Sequence, residues 1–399
     1  MTRRATTRGE ARTSLDGQRA DVIICGASFA GLAVARELAG SGADVLVLDR
    51  YEIGERQTSA CAAPTPWLTA MGVEDSIRQE IPCMGFHTPH GSVRYRLPWS
   101  WSAFDYRELC RLLWAQCEGA RFETAKVSGR VDGPETDVRG EDTGLAAPIA
   151  VNTDRGTVSA PLVVDTLGWR RVLAAHGYQP PDAPLSRGLE VHPHGGGEDL
   201  DVWIDRSLAR RGFAWSVPAY GEQRIGVGSY EPRDHVKRPT EDLAGRLERD
   251  AVGFQGNWFP HRLRPAVEEG VFFAGDSAGH CFALSGEGIR TAFYFGIACG
   301  REVREVLAGE ATRSEALERY GAFSARHAPA FRRALRLQRL LPALPPRVLT
   351  WLLAQISRSQ SAIDRSFGWY LDQAHPSFAE VSGTTSMRIR AERRSAAAW

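Results

Sequence analysis

Two glycine-rich segments, far apart in the chain, carry the residue types needed to hold a dinucleotide. The first lies between a predicted strand at residues 21–25 and a predicted helix at 29–39, and consists of Gly26, Ala27, Ser28, Phe29, Ala30 and Gly31. Backbone N–H groups at such a turn, together with the helix dipole, bind a pyrophosphate. Asp49 ends the next predicted strand, 23 residues after Gly26, where a carboxylate accepts hydrogen bonds from ribose hydroxyls. Ser28 stands at the usual middle glycine and is small enough to be accommodated.

The second segment distinguishes FAD from NAD. Gly275 and Asp276 follow a predicted strand at 271–274, so a second carboxylate lies at a strand end, where it is expected to bind the ribityl or ribose region of an extended FAD. A further turn then leads into a predicted helix at 288–308, and it contains Ser285, Gly286, Glu287, Gly288 and Ile289. Its N–H groups and the helix N-terminus are expected at the flavin pyrimidine edge, where they would stabilise the reduced anion.

Composition narrows the class of protein. The 399 residues are 43% hydrophobic and 24% charged, which is typical of a folded enzyme. Lys and Arg number 49 against 48 Asp and Glu, so nucleic acid is not an expected partner. The seven cysteines show no zinc-ligand spacing, which predicts no metal site and reduced thiols in the cytoplasm. No apolar run approaches the ~20 residues of a transmembrane helix.

The pattern of elements predicts an α/β protein with a Rossmann-type FAD-binding domain, an antiparallel β-sheet substrate domain and a C-terminal helical region. Short alternating runs at 201–205, 213–218 and 224–230 indicate the antiparallel sheet. We also predict a helix at 67–81 and a loop at 132–148. The predicted divisions are a disordered tail at 1–20, an FAD-binding domain at 21–74, 101–172 and 265–310, a substrate domain at 75–100 and 173–264, C-terminal helices at 311–380 and a tail at 381–399.

Over roughly residues 20 to 310 the chain resembles the geranylgeranyl reductase family, within the superfamily of FAD enzymes that also holds the aromatic hydroxylases. Besides the glycine motif, Asp49 and Arg50, the matching segments occur in the family's order along the chain. They are Ser59-Ala60-Cys61, Asp165-Thr166-Leu167-Gly168, Phe213-Ala214-Trp215-Ser216-Val217-Pro218, Ile225-Gly226-Val227-Gly228 and 275–289. Two departures are Ala283, where the family usually has proline, and Ala62-Ala63 in place of Gly-Glu after the cysteine.

The resemblance implies roles for particular residues. Cys61 is expected beside the flavin, where it orients the substrate or helps to deliver a proton to carbon. Phe213, Trp215 and Pro218 are expected to form the pocket wall that faces the flavin. His280 adjoins the flavin loop and serves either as an acid or as a structural hydrogen-bonding residue. Further cofactor contacts are expected from Arg50, Val127 and either Arg107 or Arg111.

Three functions stay open at this stage. The first is a reductase of carbon–carbon double bonds in an apolar isoprenoid or polycyclic molecule, by hydride from flavin N5. The second is a monooxygenase of secondary metabolism that uses a flavin C4a-hydroperoxide, and the third is a non-catalytic prenyl-binding carrier. A halogenase is disfavoured because Lys126 and Lys237, the only lysines, lie outside the flavin motifs.

The absence of a second nucleotide-binding motif bears on the electron donor. It predicts that NAD(P)H is a transient donor or that a separate protein supplies the electrons. The segment 332–356 alternates Leu-rich and Arg-rich positions around a proline break, which predicts two amphipathic helices packed on the body. Peripheral contact with a membrane is an open alternative for this segment.

Overall fold

The computed structural model describes residues 13–57, 59–131, 147–175 and 185–380. The strands, numbered in chain order, are β1 (Val22–Cys25), β2 (Val45–Asp49), β3 (Ala62–Pro64), β4 (Ile77–Thr88), β5 (Gly91–Phe104), β6 (Ala120–Thr124), β7 (Val127–Arg130), β8 (Ile149–Thr153), β9 (Gly156–Ala160), β10 (Leu162–Asp165), β11 (Leu185–Val191), β12 (Leu200–Trp203), β13 (Gly212–Pro218), β14 (Gln223–Ser229), β15 (Gln255–Pro260), β16 (Val267–Glu268) and β17 (Val271–Phe273). The helices are α1 (Phe29–Glu37), α2 (Thr65–Ala70), α3 (Tyr106–Trp114), α4 (Lys237–Arg246), α5 (Ile289–Leu307), α6 (Arg313–Ala325), α7 (Ala328–Leu340), α8 (Pro346–Ser357), α9 (Gln360–Asp372) and α10 (Ser377–Glu380).

The first sheet has six strands in the order β16-β17-β10-β1-β2-β6. Its central pairs β10–β1 and β1–β2 are parallel, as are β17–β10 and β2–β6. Strands β1 and β10 are buried at every position, which is why both read as continuous apolar runs in the sequence. Helices α1 and α5 pack against each other over this sheet, and a Cβ added at Gly296 would lie 2.7 Å from the carbonyl oxygen of Ala30. The predicted Rossmann-type domain is confirmed.

The second sheet has eight strands in the order β15-β11-β14-β13-β12-β4-β5-β3, and β12–β4 is its one parallel pair within the described residues. The predicted antiparallel sheet is therefore confirmed. The predicted helix at 67–81 is wrong beyond Ala70. A 3-10 turn occupies Glu74–Ser76, and β4 begins at Ile77, where exposure alternates along the chain as strand pairing requires. Strand β3 and the end of β5 also join this sheet, although the sequence assigned them to the FAD-binding domain.

A short third sheet, β7-β8-β9, lies beside the N-terminal segment. Residues 13–20 were predicted to belong to a disordered tail, but they pack along β9. The N–H of Leu15 donates to the carbonyl of Arg155 at 2.8 Å, the N–H of Ala20 donates to the carbonyl of Ser159 at 3.1 Å, and Leu15 is buried. The only apolar side chains of residues 13–20 are Leu15 and Ala20, which were too weak a signal to predict this contact. Residues 1–12, most of the predicted loop at 132–148 and the tail at 381–399 lie outside the described residues.

The C-terminal helices complete the fold. Helices α7 and α8 are separated by a 3-10 turn at Leu341–Ala343, as the proline break predicted. Helices α8 and α9 pack on β5, which joins this region to the second sheet. No helix in the described ranges combines the length and the apolar character needed to cross a bilayer.

Candidate cofactor and substrate site

The turn after β1 has the backbone geometry that a phosphate-binding loop requires. Gly26 has a φ of +110°, and a Cβ there would lie 2.5 Å from the carbonyl oxygen of Thr166, so only glycine fits. Asp49 holds the turn in place, because one carboxylate oxygen accepts from the N–H of Ala27 at 2.8 Å and the other from the N–H of Tyr51 at 3.1 Å. Burial raises the pKa of Asp49, although these hydrogen bonds act in the opposite direction.

The N-terminus of α1 is open to a ligand. Ser28 is the N-cap residue, but its side chain does not cap the helix. Its hydroxyl lies 3.1 Å from the hydroxyl of Tyr106 instead. The first-turn N–H groups are therefore left without a serine cap, and the helix dipole there favours an anion. This geometry fits a pyrophosphate.

The two glycine segments meet at the carboxyl ends of the parallel strands β1 and β17, which lie on either side of β10. Gly275, after β17, has a φ of +65°, and a Cβ there would lie 3.0 Å from the Cβ of Ala30 on α1. At the end of β10, the carboxylate of Asp165 accepts from the hydroxyl of Ser277 at 2.7 Å, and the hydroxyl of the next residue, Thr166, donates to the carbonyl of Gly26 at 3.0 Å. Ligands of open α/β sheets bind at this edge.

Asp276 lies between the second glycine turn and the loop before α5. Its Oδ1 would be 3.4 Å from a Cβ at Gly288, so the turns at 275–279 and 285–288 are in contact. Burial raises the pKa of Asp276 to about 6, against the lowering influence of Arg264. A cation or a hydrogen-bond donor in a ligand would stabilise its ionised form.

A buried ion pair between Glu287 and Arg290 fixes the Gly-Glu-Gly loop at residues 286–288. Arg290 donates to Glu287 at 2.7 Å and to the carbonyl of Leu371 at 2.8 Å, and its side chain is buried. The hydroxyl of Tyr370 on α9 also donates to Glu287. Gly288, the N-cap residue of α5, offers no side-chain cap. The loop is thus fixed while the N-terminus of a 19-residue helix is left without a cap.

Cys61 lies at the junction of the two sheets, immediately before β3. Its φ is +49°, an uncommon conformation for a residue with a side chain. Its carbonyl accepts from the N–H of Phe104 at 2.9 Å and from the buried guanidinium of Arg224 at 3.1 Å. Burial raises the pKa of the Cys61 thiol more than Arg224 lowers it, so the thiol stays protonated at neutral pH.

Phe213 and Trp215 lie on one face of β13, with ring centroids 5.7 Å apart, as the alternation of the strand predicts. Pro218 ends the same strand. The indole of Trp215 covers Gly226 and lies 3.3 Å from a Cβ placed at Gly228. Partly buried apolar side chains share its cluster, and they include both neighbours of Cys61: Ala60, Ala62, Phe86, Trp101, Val202 and Phe367.

A buried carboxylate that the sequence analysis missed lies on the same face of the second sheet. Glu190 of β11 is 3% exposed, and its two oxygens accept from the indole N–H of Trp215 at 3.2 Å and from Gln255 at 2.7 Å. His192 lies 3.0 Å from Glu190 and 3.4 Å from Glu222. The sequence did contain a signal for this site, because Glu190 is a charged residue at an inward-facing position of the strand 185–191.

This network continues to Cys61. Although burial opposes the charge, the two glutamates raise the pKa of His192 to about 9. Burial likewise opposes ionisation of Glu222, yet His192 and Arg224 lower its pKa to about 2. Arg224 donates to Glu222 at 2.8 Å and to the carbonyl of Ala60 at 2.8 Å. Charged groups therefore connect Trp215 with the cysteine loop.

Several site residues predicted from the sequence lie away from Cys61, Trp215 and Glu190. His280 is buried against α5 and α6, where it stacks on Phe295 and lies 2.9 Å from the hydroxyl of Ser324. Burial holds its pKa well below the usual range, which favours the structural alternative over the acid. The side chains of Arg50 and Arg107 are exposed, and Arg111 pairs with Glu108 at the surface. Val127 is buried in the third sheet.

Solved structures show what fold this arrangement represents. A geranylgeranyl bacteriochlorophyll reductase-like protein from Thermoplasma acidophilum superposes with a TM-score of 0.73 at 15% identity, over 91% of this chain and 98% of that one. A probable FAD-dependent monooxygenase from Pseudomonas aeruginosa gives 0.60 at 17% identity, covering 82% and 96%. The anhydrotetracycline hydroxylase of Streptomyces rimosus gives 0.61 at 19% identity, covering 89% and 76%. The chain has the same fold as these three proteins, and the resemblance predicted this fold.

Sequence comparison finds a relative whose activity is named more specifically. The chain is 26% identical to a menaquinone reductase of Mycobacterium tuberculosis in an alignment of length 339 that covers 72% of this chain and 76% of that protein. No family model matches the chain.

Proposed function

We propose that the chain is an FAD-dependent reductase that transfers a hydride to a carbon–carbon double bond of an apolar, isoprenoid-bearing molecule. The observation that carries this proposal is the apolar cluster around Trp215, which includes both neighbours of Cys61. Such a surface suits a prenyl chain, because apolar area removed from water contributes about 25 cal/mol per Å². The similarity to a menaquinone reductase supports this class of substrate, since a menaquinone carries a polyprenyl tail.

The geometry of the turns supports a place for the cofactor in this proposal. The uncapped N-terminus of α1 would hold the pyrophosphate, Asp49 the adenosine ribose, and Asp276 the ribityl region. The N-terminus of α5 would lie at the pyrimidine edge. When bound there, FAD supplies the hydride.

The chain's own residues bind, orient and hold protons. Phe213 and Trp215 exclude water from the apolar chain and restrict its position. Glu190 fixes the indole through the hydrogen bond at 3.2 Å, so it is a positioning residue. The thiol of Cys61 is protonated at neutral pH, and we assign to it the proton that goes to the second carbon of the double bond.

The experiment separates reduction from oxygenation. The purified, FAD-loaded protein is reduced anaerobically with dithionite and mixed with geranylgeraniol or with a menaquinone. Geranylgeraniol has no quinone ring, so any hydride it accepts must go to a double bond. We expect oxidation of the flavin by an isoprenoid and a product heavier by two hydrogens. Reoxidation by oxygen alone, with an ¹⁸O atom from ¹⁸O₂ in the product, would establish the monooxygenase that several structural neighbours favour.

Two cysteine variants provide the matched control. Cys61→Ala should retain its FAD absorbance yet lose about tenfold or more in the rate of flavin oxidation by the substrate, since general acid catalysis contributes roughly that much or more. Cys299→Ala removes another buried thiol, in α5, and should keep the rate. Equal rates in the two variants would remove Cys61 from the reaction. Parallel reduction with NADH, NADPH or dithionite shows whether a nicotinamide serves as the donor.

A further inference from the structure

The region around α7 and α8 is strongly basic. Between Glu318 and Asp364 the chain has eight arginines and neither Asp nor Glu, whereas the net charge of all 399 residues is only +1. Arg319 is paired with Glu302 and Glu305. Arg336, Arg339 and Arg347, however, are exposed. Positive charge is therefore concentrated on this part of the surface.

The same region carries exposed apolar side chains. The described residues include eight exposed large hydrophobic side chains, and four of these lie within residues 340–352. Their exposed fractions are 60% for Leu340, 43% for Val348, 60% for Trp351 and 37% for Leu352. Side chains of this size are normally buried or scattered singly, so a group of four indicates a contact surface.

Helix α8 is fixed to the body while this group faces outward. Val348, Trp351 and Leu352 follow the i, i+3, i+4 spacing, so they form one stripe along the helix. Leu349 on another side of the helix is only 4% exposed. The hydroxyl of Tyr95 on β5 donates to the carbonyl of Leu353 at 2.8 Å, which anchors the helix. The stripe therefore has no partner in the described part of the chain and is held rigidly.

We propose that this surface, defined by Leu340, α8 and the arginines around them, docks on an anionic lipid bilayer. Tryptophan and leucine insert at the boundary between headgroups and acyl chains, and arginines bind anionic headgroups. The surplus of arginine selects an anionic bilayer over a neutral one. Docking is independent of the redox chemistry, so either proposal stands if the other fails.

Co-sedimentation of the full chain with lipid vesicles tests the docking surface. We expect the protein to bind vesicles that contain phosphatidylglycerol, to bind phosphatidylcholine vesicles weakly, and to dissociate as salt is raised. Trp351→Ser with Leu352→Ser should weaken binding about tenfold or more, because two apolar side chains no longer insert. Arg339→Glu with Arg347→Glu should remove the preference for anionic lipid.

Tyr220→Ser is the matched control, since Tyr220 is also an exposed aromatic residue, on a turn of the second sheet. It should bind vesicles like the unchanged protein, and circular dichroism should show all variants folded. Equal binding by the Trp351 variant and the control would overturn the proposal. Failure of the unchanged protein to bind anionic vesicles would also overturn it, as would loss of a protein oligomer without any change in vesicle binding.

Discussion

The buried carboxylate of Asp276 destabilises the empty protein when it is ionised, and a bound ligand would offset this cost. Its folded-state pKa, about 6, lies above the unfolded value of 3.8. Ionisation therefore costs the folded state free energy as pH rises from about 4 to about 6, and the cost is complete above that range. A bound ribityl chain, whose hydroxyls donate to the carboxylate, would offset it.

Asp276→Asn should consequently separate stability from binding. Above pH 6 we expect the empty variant to be more stable than the unchanged protein, by about 1–3 kcal/mol, with the difference vanishing near pH 4. The same variant should bind FAD about tenfold or more weakly, because a charged acceptor is lost. Urea unfolding at pH 4 and pH 8 and FAD titration by fluorescence measure both effects. Unchanged FAD affinity would show that this carboxylate does not contact the cofactor.

Glu190 provides a second prediction at the level of a single residue. Glu190→Gln keeps an acceptor for the indole N–H of Trp215, whereas Glu190→Leu removes it. If Glu190 acts by positioning Trp215, the Gln variant should retain most of kcat and the Leu variant should lose about tenfold or more. Both should bind FAD normally. Steady-state kinetics across pH checks this, and equal losses in both variants would assign the role to the charge instead of the hydrogen bond.

At the scale of elements, the strand–turn–helix unit at β1 and α1 depends on one backbone position. Gly26→Ala would place a Cβ 2.5 Å from the carbonyl oxygen of Thr166, at a φ of +110°. Gly42 also has a positive φ, +76°, but a Cβ added there would have no atom within 4 Å. We expect Gly42→Ala to lose about 1 kcal/mol of stability and to bind FAD, and the Gly26 variant to lose more stability and its FAD. Flavin absorbance after gel filtration distinguishes them; a yellow Gly26 variant would contradict this role for the turn.

The second sheet contributes a pH-dependent element. The folded pKa of His192, about 9, exceeds its unfolded value of 6.5, so its contribution to stability is full below about pH 6.5 and is lost as pH rises towards 9. The folded pKa of Glu222, about 2, lies below 4.5, so its contribution is present above about pH 4.5 and is lost as pH falls towards 2. The network therefore stabilises the sheet most between about pH 4.5 and about pH 6.5, where both groups are fully charged.

His192→Gln tests that window. The variant should be less stable than the unchanged protein by about 1–3 kcal/mol at pH 6, and the difference should shrink by pH 9, where His192 loses its charge. Urea unfolding at the two pH values measures it. A difference of the same size at both would mean that packing of the ring, and not its charge, stabilises the sheet.

At the scale of the whole molecule, α8 and α9 connect the proposed membrane-docking surface with the sheet that carries the proposed substrate site. Both helices pack on β5, and α9 also holds the Gly-Glu-Gly loop through Tyr370 and Arg290. The stripe of α8 faces away from this sheet. A bilayer docked there would lie beside the domain that carries Trp215, which suits an apolar substrate that resides in lipid.

Much of this could be predicted from the sequence, because the signals are local. The strand–glycine–helix unit at 21–49, the turn at 275–276 and the helix at 289–307 each follow from periodicity, turn chemistry and residues close together in the chain. The aromatic pair of β13 follows from alternation in the same way. The start of β4 was missed because a short helix, α2, and a 3-10 turn precede it without a break in the apolar pattern.

The amino-acid sequence by itself determined the elements, the two glycine turns and the α/β class, since these depend on backbone preferences and on which face of an element is apolar. Only the tertiary structure decided which side chains meet. It joined Glu190, His192 and Arg224 to the cysteine loop, although these residues and Cys61 span more than 160 positions of the chain. It also placed His280 inside the body and left Trp351 outside. Such choices depend on contacts between distant strands and helices, which no local pattern encodes.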